Sequence, residues 1–170
     1  MREQKIRGMK RRTQTLIKRI EDSTKAFPST FYNDEYWHMP LPGSQAFIDS
    51  STTPRKVKRL CIQALLNQAN QLMTMKPNDT NTYRVVVMIK IASLWNSQII
   101  IFKNDDYFQN FFNRDNEFQK WIPLSNASDF GHEWKISISN SVQTLYFQEI
   151  INDEDGFYDE GELLFIGELS

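Results

Sequence analysis

The pattern of apolar and polar positions predicts two long helices in the first half of the chain. Across residues 3–24 the apolar side chains recur every three or four positions, with one gap at Thr13, as on a surface helix that covers a core with one narrow face. Residues 54–76 carry a longer stripe of the same period. Thr53 is the predicted N-cap of this second helix, and Pro54 takes the first helical position, where a missing N–H has no cost.

Residues 83–124 hold the longest apolar runs and are predicted to form the centre of the fold. Every odd position of 83–91 is apolar, and so are the central even positions, which indicates a strand buried on both faces at its middle. A second strand over 98–103 is expected to return antiparallel to the first. A short aromatic helix then follows, with Asn104 or Asp105 as its cap.

The segments on either side of this centre are less regular. Residues 27–53 are rich in proline and aromatic side chains and are predicted to wrap over the core, with a short helix around 44–49. Phe118, Trp121 and Ile122 recur at helical spacing before Pro123. Three strand-like runs follow, of which the last two are joined into a hairpin by an acidic turn at 152–160 (134–139, 144–151 and 161–169).

These elements predict one α+β domain over residues 1–170. About five mostly antiparallel strands form its sheet, with the two long helices packed on one face and the short aromatic helix after the second strand. In chain order the domain comprises a basic surface helix (1–26), a proline- and aromatic-rich wrap (27–53) and an amphipathic helix (54–76). Core strands with the aromatic helix (83–124) and C-terminal strands with an acidic hairpin turn (125–170) follow.

Composition narrows the class of protein. At 170 residues the chain is long enough for a substantial core. Cys61 is its only cysteine, which excludes an internal disulfide and a cysteine zinc cluster. No apolar segment of signal-peptide or membrane-spanning length is present, so we expect a cytoplasmic protein without a membrane partner.

A net charge of −1 conceals a strong asymmetry along the chain. Residues 1–26 carry nine basic side chains, 54–76 carry five and no acid, and 145–170 carry eight acids and no base. The basic clusters of the two long helices are a candidate nucleic-acid surface, although a pI of about 6.1 argues against a dedicated binder. The candidate residues are Arg7, Lys10, Arg11, Arg12, Arg55, Lys56, Lys58 and Arg59.

Catalytic and metal-binding patterns are weak. His38 and His132 are the only histidines, and neither has the spacing of a known zinc motif. Cys61 falls on the apolar stripe of the second helix and is interpreted as a small buried hydrophobe. The acidic stretch around Gly156 fails the EF-hand pattern because Ile151 occupies its first position. We therefore predict no metal site, no cofactor and no catalytic residue.

Several phrases of the sequence are familiar as a set and in this order: RGMKRR, YWHMPLP, TPRKVKRLCIQALL, YRVVV, SLWNSQIIIFK, FFNRDNEFQKWIPL and DEDGFYDEGELLFIGEL. Together they resemble a family of small cytoplasmic proteins from Gram-positive bacteria that is defined as a domain of unknown function. The likeness covers nearly the whole chain. It implies a single domain and assigns no catalytic residue.

Two functions of different kinds are predicted. The first is a non-enzymatic module that binds a protein partner, for instance as an immunity protein or antitoxin, because aromatic residues occur in irregular segments and the acidic end suits a basic partner. The alternative is an enzyme or small-ligand protein with a site between residues 36–47 and 113–121. The candidates for the protein-binding surface are Trp37, Trp95, Arg114, Asp153, Glu154, Asp155, Asp159 and Glu160. Those for the ligand site are His38, Arg114 and Glu117, with Asn113 beside Arg114 as a further candidate.

Overall fold

A computed structural model describes six stretches of the chain: residues 8–90, 93–115, 120–123, 135–137, 144–149 and 162–167. It has four α-helices: α1 (Met9–Ser23), α2 (Gln45–Ile48), α3 (Arg55–Thr74) and α4 (Asp105–Asp115). Its strands are β1 (Tyr36–Pro40), β2 (Arg84–Lys90), β3 (Gln98–Phe102), β4 (Lys120–Pro123), β5 (Thr144–Glu149) and β6 (Glu162–Gly167). A short 3₁₀ helix, Leu94–Asn96, joins β2 to β3.

The strands form one antiparallel sheet in the order β1-β3-β2-β6-β5-β4. The predicted α+β class and the antiparallel return of β3 along β2 are confirmed. The hairpin pairing of the last two strands is also present, with Phe147 opposite Leu164, while the acidic turn that would join them lies outside the described residues. Six strands occur in the described stretches, one more than the approximate number predicted.

The two faces of the sheet belong to separate buried clusters. Val85, Val87 and Ile89 of β2 join the larger cluster, whereas Val86 and Met88 join the smaller one. All five are at most 7% exposed, as the two-sided apolar pattern of this strand predicts.

The two long helices contribute to the larger cluster. Leu65 and Leu72 of α3 are fully buried against the sheet, and Leu16 and Ile20 of α1 pack on α3. Thr13, which interrupts the apolar stripe of α1, is buried. Its hydroxyl keeps a hydrogen-bond partner, because it donates to the carbonyl of Met9 at 2.8 Å.

The residues 27–53 contain more regular structure than predicted. The short helix is confirmed as α2, but strand β1 (Tyr36–Pro40) lies in the segment that its proline content predicted to be irregular. Proline is compatible with this position, because Pro40 is the last residue of an edge strand and lacks the N–H that a central strand would require.

Three other local predictions are wrong. The helical spacing before Pro123 belongs to strand β4. Residues 135–137 are not a strand: Gln63 of α3 instead accepts from the Ser137 N–H at 2.7 Å and donates to its carbonyl at 3.0 Å. Thr53 does not cap α3, because its hydroxyl donates to the carbonyl of Phe47.

Candidate functional site

The smaller buried cluster lies on the second face of the sheet, and two of its residues, Ile100 and Phe102, form the floor of a cleft there. The cluster consists of Val86 and Met88 from β2, Ile100 and Phe102 from β3, and Phe108 from α4. The rings of Phe102 and Phe108 meet edge to face, with 5.6 Å between centroids and 70° between planes, an arrangement that favours aromatic pairs. Helix α4 therefore packs over one end of this face.

Two polar contacts fix the start of α4. Asn104 caps the helix, since its side-chain oxygen accepts from the N–H of Tyr107 at 3.1 Å, as predicted. The Arg84 guanidinium of β2 donates two hydrogen bonds to the carboxylate of Asp105, one from Nε and one from Nη2. The distance from Nη2 to Oδ2 is 2.8 Å. The same guanidinium lies 5.1 Å from the ring centroid of Phe108. These contacts set the position of the helix against the sheet.

The electrostatics of this anchor favour its ionised form. The hydrogen bonds and positive charge of Arg84 lower the pKa of Asp105 below its ordinary value, in spite of a smaller opposing effect of burial. The Arg84 side chain is only 11% exposed, whereas Asp105 is 47% exposed. The anchor is thus a charge pair at the edge of the buried floor, with its carboxylate open to water on one side.

Between α4 and the strands β1 and β3 lies a cleft of about 460 Å³. The register of the two strands places Tyr36 opposite Phe102 and His38 opposite Ile100, so their side chains share one face of the sheet. Tyr107 and Asn110 face the cleft from one side of α4, three residues apart. The complete lining is Glu35, Tyr36, His38, Gln98, Ile100, Phe102, Tyr107 and Asn110.

The upper walls of the cleft combine aromatic rings with hydrogen-bonding groups. His38 and Tyr36 have ring centroids 6.0 Å apart, and Tyr36 in turn meets Tyr32 at 5.4 Å. Nδ1 of His38 lies 3.1 Å from the side-chain oxygen of Gln98. With that oxygen as acceptor, Nδ1 carries the hydrogen and donates it to Gln98. The cleft therefore offers stacking surfaces, two amides, an imidazole and a carboxylate.

Of the residues predicted for a site between 36–47 and 113–121, the structure brings His38 to this cleft. Asn113 and Arg114 belong to α4, which forms the facing wall, and Glu117 lies outside the described residues. Sequence reasoning missed Gln98, which lies beside His38 on the neighbouring strand β3, and Tyr107 and Asn110, which face the cleft from α4. The spacing of Tyr107 and Asn110 on the aromatic helix was the available signal.

The two tryptophans proposed for a protein surface have contacts within the chain. Trp37 is half-buried and packs against the larger cluster, on the face opposite to His38. Trp95 is 39% exposed, but its indole N–H donates to the carbonyl of Gly43 at 3.0 Å. The acids predicted to complete this surface, Asp153, Glu154, Asp155, Asp159 and Glu160, lie outside the described residues.

Two residues of the predicted basic patch line a groove beside α1. Arg11 and Arg12 line a second groove together with Arg19, which was not among the predicted residues. The basic residues of α3 (Arg55, Lys56, Lys58 and Arg59) and Lys10 do not line that groove. Arg7 lies outside the described residues.

Cys61 is fully buried in α3, as predicted from its place on the apolar stripe. Burial raises the pKa of its thiol to about 12, which suppresses the reactive thiolate. Within the described stretches, no group of three or more histidine, cysteine, aspartate or glutamate side chains is placed to hold a metal ion. His132 lies outside those stretches.

None of the helices in the described part of the chain combines the length and apolarity needed to cross a membrane. No curated protein and no solved structure shows a significant match to the chain. A family model does match, over residues 17–168, and its description is a protein of unknown function, DUF3916. Because that match covers most of the chain, the protein belongs to the DUF3916 family.

Proposed function

We propose that this protein binds a small ligand with a nucleobase-like heteroaromatic ring in the cleft between β1, β3 and α4. The observation that carries the proposal is the lining of that cleft. Its floor is apolar and aromatic, from Ile100 and Phe102, while Gln98 and Asn110 bring carboxamides to its walls. A ring that stacks on one surface and exchanges hydrogen bonds at its edge matches both features.

The chemistry of the side chains favours a heteroaromatic ring over an aliphatic ligand. Carboxamides can donate and accept at the same time, which suits the adjacent donor and acceptor of a base edge. Glu35 adds an acceptor for an exocyclic amine, and the rings of Tyr36 and Tyr107 offer stacking surfaces. A cleft of about 460 Å³ is within the usual size range of small-molecule sites.

Titration of the purified protein with adenosine, guanosine, cytidine and uridine tests the proposal, with isothermal calorimetry or ligand-observed NMR as the readout. We expect saturable binding of at least one nucleoside. Asn110→Ala should weaken it by roughly tenfold, the effect of one lost hydrogen bond at a binding site. Asn78→Ala, a matched change at an exposed asparagine away from the cleft, should leave the affinity within about twofold.

Absence of binding for all four nucleosides, or equal losses in both asparagine variants, would contradict the proposal. His38→Ala supplies a second test of the same site, because His38 is exposed and its removal should disturb only the cleft and its contact with Gln98.

A protein-binding role is the second proposal. The observation in its favour is the exposure of Tyr32 and Trp95, which are 64% and 39% exposed. It ranks below ligand binding because Trp95 and Trp37 also have contacts within the chain. Recovery of one stoichiometric partner with the wild type, lost with Tyr32→Ala, would reverse that ranking.

A further inference from the structure

A second groove, of about 470 Å³, lies between α1 and the loop that precedes α2. Its α1 wall presents three arginines, Arg11, Arg12 and Arg19. The ion pairs within the described stretches join Asp22 to Lys25, Arg84 to Asp105 and Asp34 to Lys103, and include none of these three arginines. Three guanidinium groups thus share one groove without a carboxylate partner in the described part of the chain.

The spacing of these side chains gives the groove an extended shape. Arg11, Thr15 and Arg19 are separated by four residues each, so they follow one line along the helix. At a rise of about 1.5 Å per residue, Arg11 and Arg19 are about 12 Å apart along the axis. Arg12 joins them from the neighbouring position, and Thr15 adds a hydroxyl between them.

The groove is held in shape by contacts on both walls. The guanidinium of Arg12 lies 5.1 Å from the ring centroid of Phe47, a cation–π contact that orients it. Gly43 forms the opposite wall, where an added Cβ would come within 2.5 Å of Ile48 Cδ1 and 3.0 Å of Leu16 Cδ1. The carbonyl of Gly43 is also tied to the Trp95 indole at 3.0 Å. The loop therefore lies close to α1 in a fixed position.

From these contacts we propose that the groove binds a small oligophosphate anion. Guanidinium groups match phosphoryl oxygens in charge and in their forked geometry. Arginines at positions spread along about 12 Å of the helix axis suit an anion with several linked phosphoryl groups rather than a single phosphate ion. The hydroxyls of Thr15 and Ser44 add neutral donors to the same groove. This site is separate from the cleft between β1, β3 and α4, and does not depend on the function proposed for that cleft.

The test is a calorimetric titration of the full chain with sodium tripolyphosphate, and with sulfate and orthophosphate for comparison. The affinity for tripolyphosphate should exceed that for either single anion by roughly tenfold or more. The double change Arg11→Gln and Arg19→Gln should reduce the affinity for tripolyphosphate by roughly tenfold or more relative to the wild type, because both ends of the groove lose their charge.

The matched control is the double change Lys10→Gln and Lys18→Gln, which removes two positive charges from exposed positions of the same helix that do not line the groove. Its tripolyphosphate affinity should stay within about threefold of the wild type at 0.15 M salt. Equal losses in the two double variants, or no preference for tripolyphosphate over sulfate, would overturn the proposal. A second contrary result would be that a single-stranded RNA 12-mer binds more tightly than tripolyphosphate and loses affinity equally in both double variants. Surface charge alone would then explain the binding.

Discussion

The two faces of the sheet are covered in different ways, and the difference separates what stabilises this protein from what can bind a ligand. In the described stretches the larger cluster holds 21 buried residues and draws on α1, α2 and α3. The smaller cluster holds five, with α4 over one end of its face. The first face is a closed core. Within the same stretches, the second face carries a cleft between side chains of strands β1 and β3 and helix α4.

Neighbouring residues of β3 allow a direct comparison of the two faces. Ile101 is fully buried in the larger cluster, whereas Ile100 belongs to the smaller one and lines the cleft. Ile101→Ala should cost about 3–5 kcal/mol of unfolding free energy, because it leaves a closed cavity. Ile100→Ala should cost about 2 kcal/mol, since it enlarges a cleft that is already open. Urea unfolding at pH 7 measures both, and equal losses would show that the second face is closed as well.

Chemical reactivity gives an independent comparison. Burial raises the pKa of the Cys61 thiol from 9.0 to about 12, so its thiolate population near neutral pH falls about a thousandfold. The thiol should react with Ellman's reagent only at the rate of local or global opening. His38, by contrast, is exposed at the cleft, so its ring should be accessible to diethylpyrocarbonate in the folded protein. Rapid labelling of Cys61 in the folded protein would contradict a closed first face.

The anchor between Arg84 and Asp105 should be the main polar contribution to the position of α4. Asp105→Asn is expected to cost about 1–2 kcal/mol, less than a buried pair would, because the carboxylate is half exposed. Asp106→Asn, an adjacent and more exposed change in the same helical turn, should cost less than about 0.5 kcal/mol. Urea unfolding of the two variants at pH 7 measures the difference.

The same anchor gives the stability a defined pH dependence. The folded protein holds the pKa of Asp105 below the ordinary value of 3.8. Its contribution is therefore complete above pH values near 3.8 and is lost as the pH falls through the lowered folded-state pKa. The stability difference between wild type and Asp105→Asn should be constant from about pH 5 to 7 and shrink below about pH 4. A difference that persists unchanged to pH 2 would assign it to packing rather than to charge.

The smallest expected effect is on the stability of the cleft variants. His38 is exposed and has one described hydrogen bond, to Gln98, so His38→Ala should change the free energy of unfolding by less than about 0.5 kcal/mol. A larger loss of unfolding free energy would show that His38 stabilises the edge strand, and would weaken its assignment to a binding site. Thermal and urea unfolding of the single variant are sufficient to decide this.

The sequence predicted the closed face better than the open one, for a physical reason. Helix α3 and strand β2 are buried along most of their length. Their apolar residues therefore follow a pattern that can be recognised from the sequence alone. Strand β1 carries no such signal, because it is short and ends at Pro40 on a sheet edge. Capping chemistry indicated the start of α4 at Asn104 correctly, while the backbone of Ser137 is held by a distant glutamine that no local pattern reveals.

The cleft was predictable only in part. His38 was a candidate because its type and irregular surroundings pointed to it. Gln98 reaches the same site through the register of β1 with β3, and Tyr107 through the docking of α4 by Arg84. Both depend on contacts between residues far apart in the chain. Patterns in the local sequence therefore pointed to His38 but not to the cleft residues contributed by β3 and α4.

The most direct test of ligand binding on the open face is chemical-shift mapping of the ¹⁵N-labelled protein during titration with the nucleoside that binds best. The amides of Tyr36, His38 and Gln98 should shift progressively and saturate together with Tyr107 in α4, while those of α3 stay in place. Shifts confined to α1 and α3, or no saturable shift with any of the four nucleosides, would contradict the account.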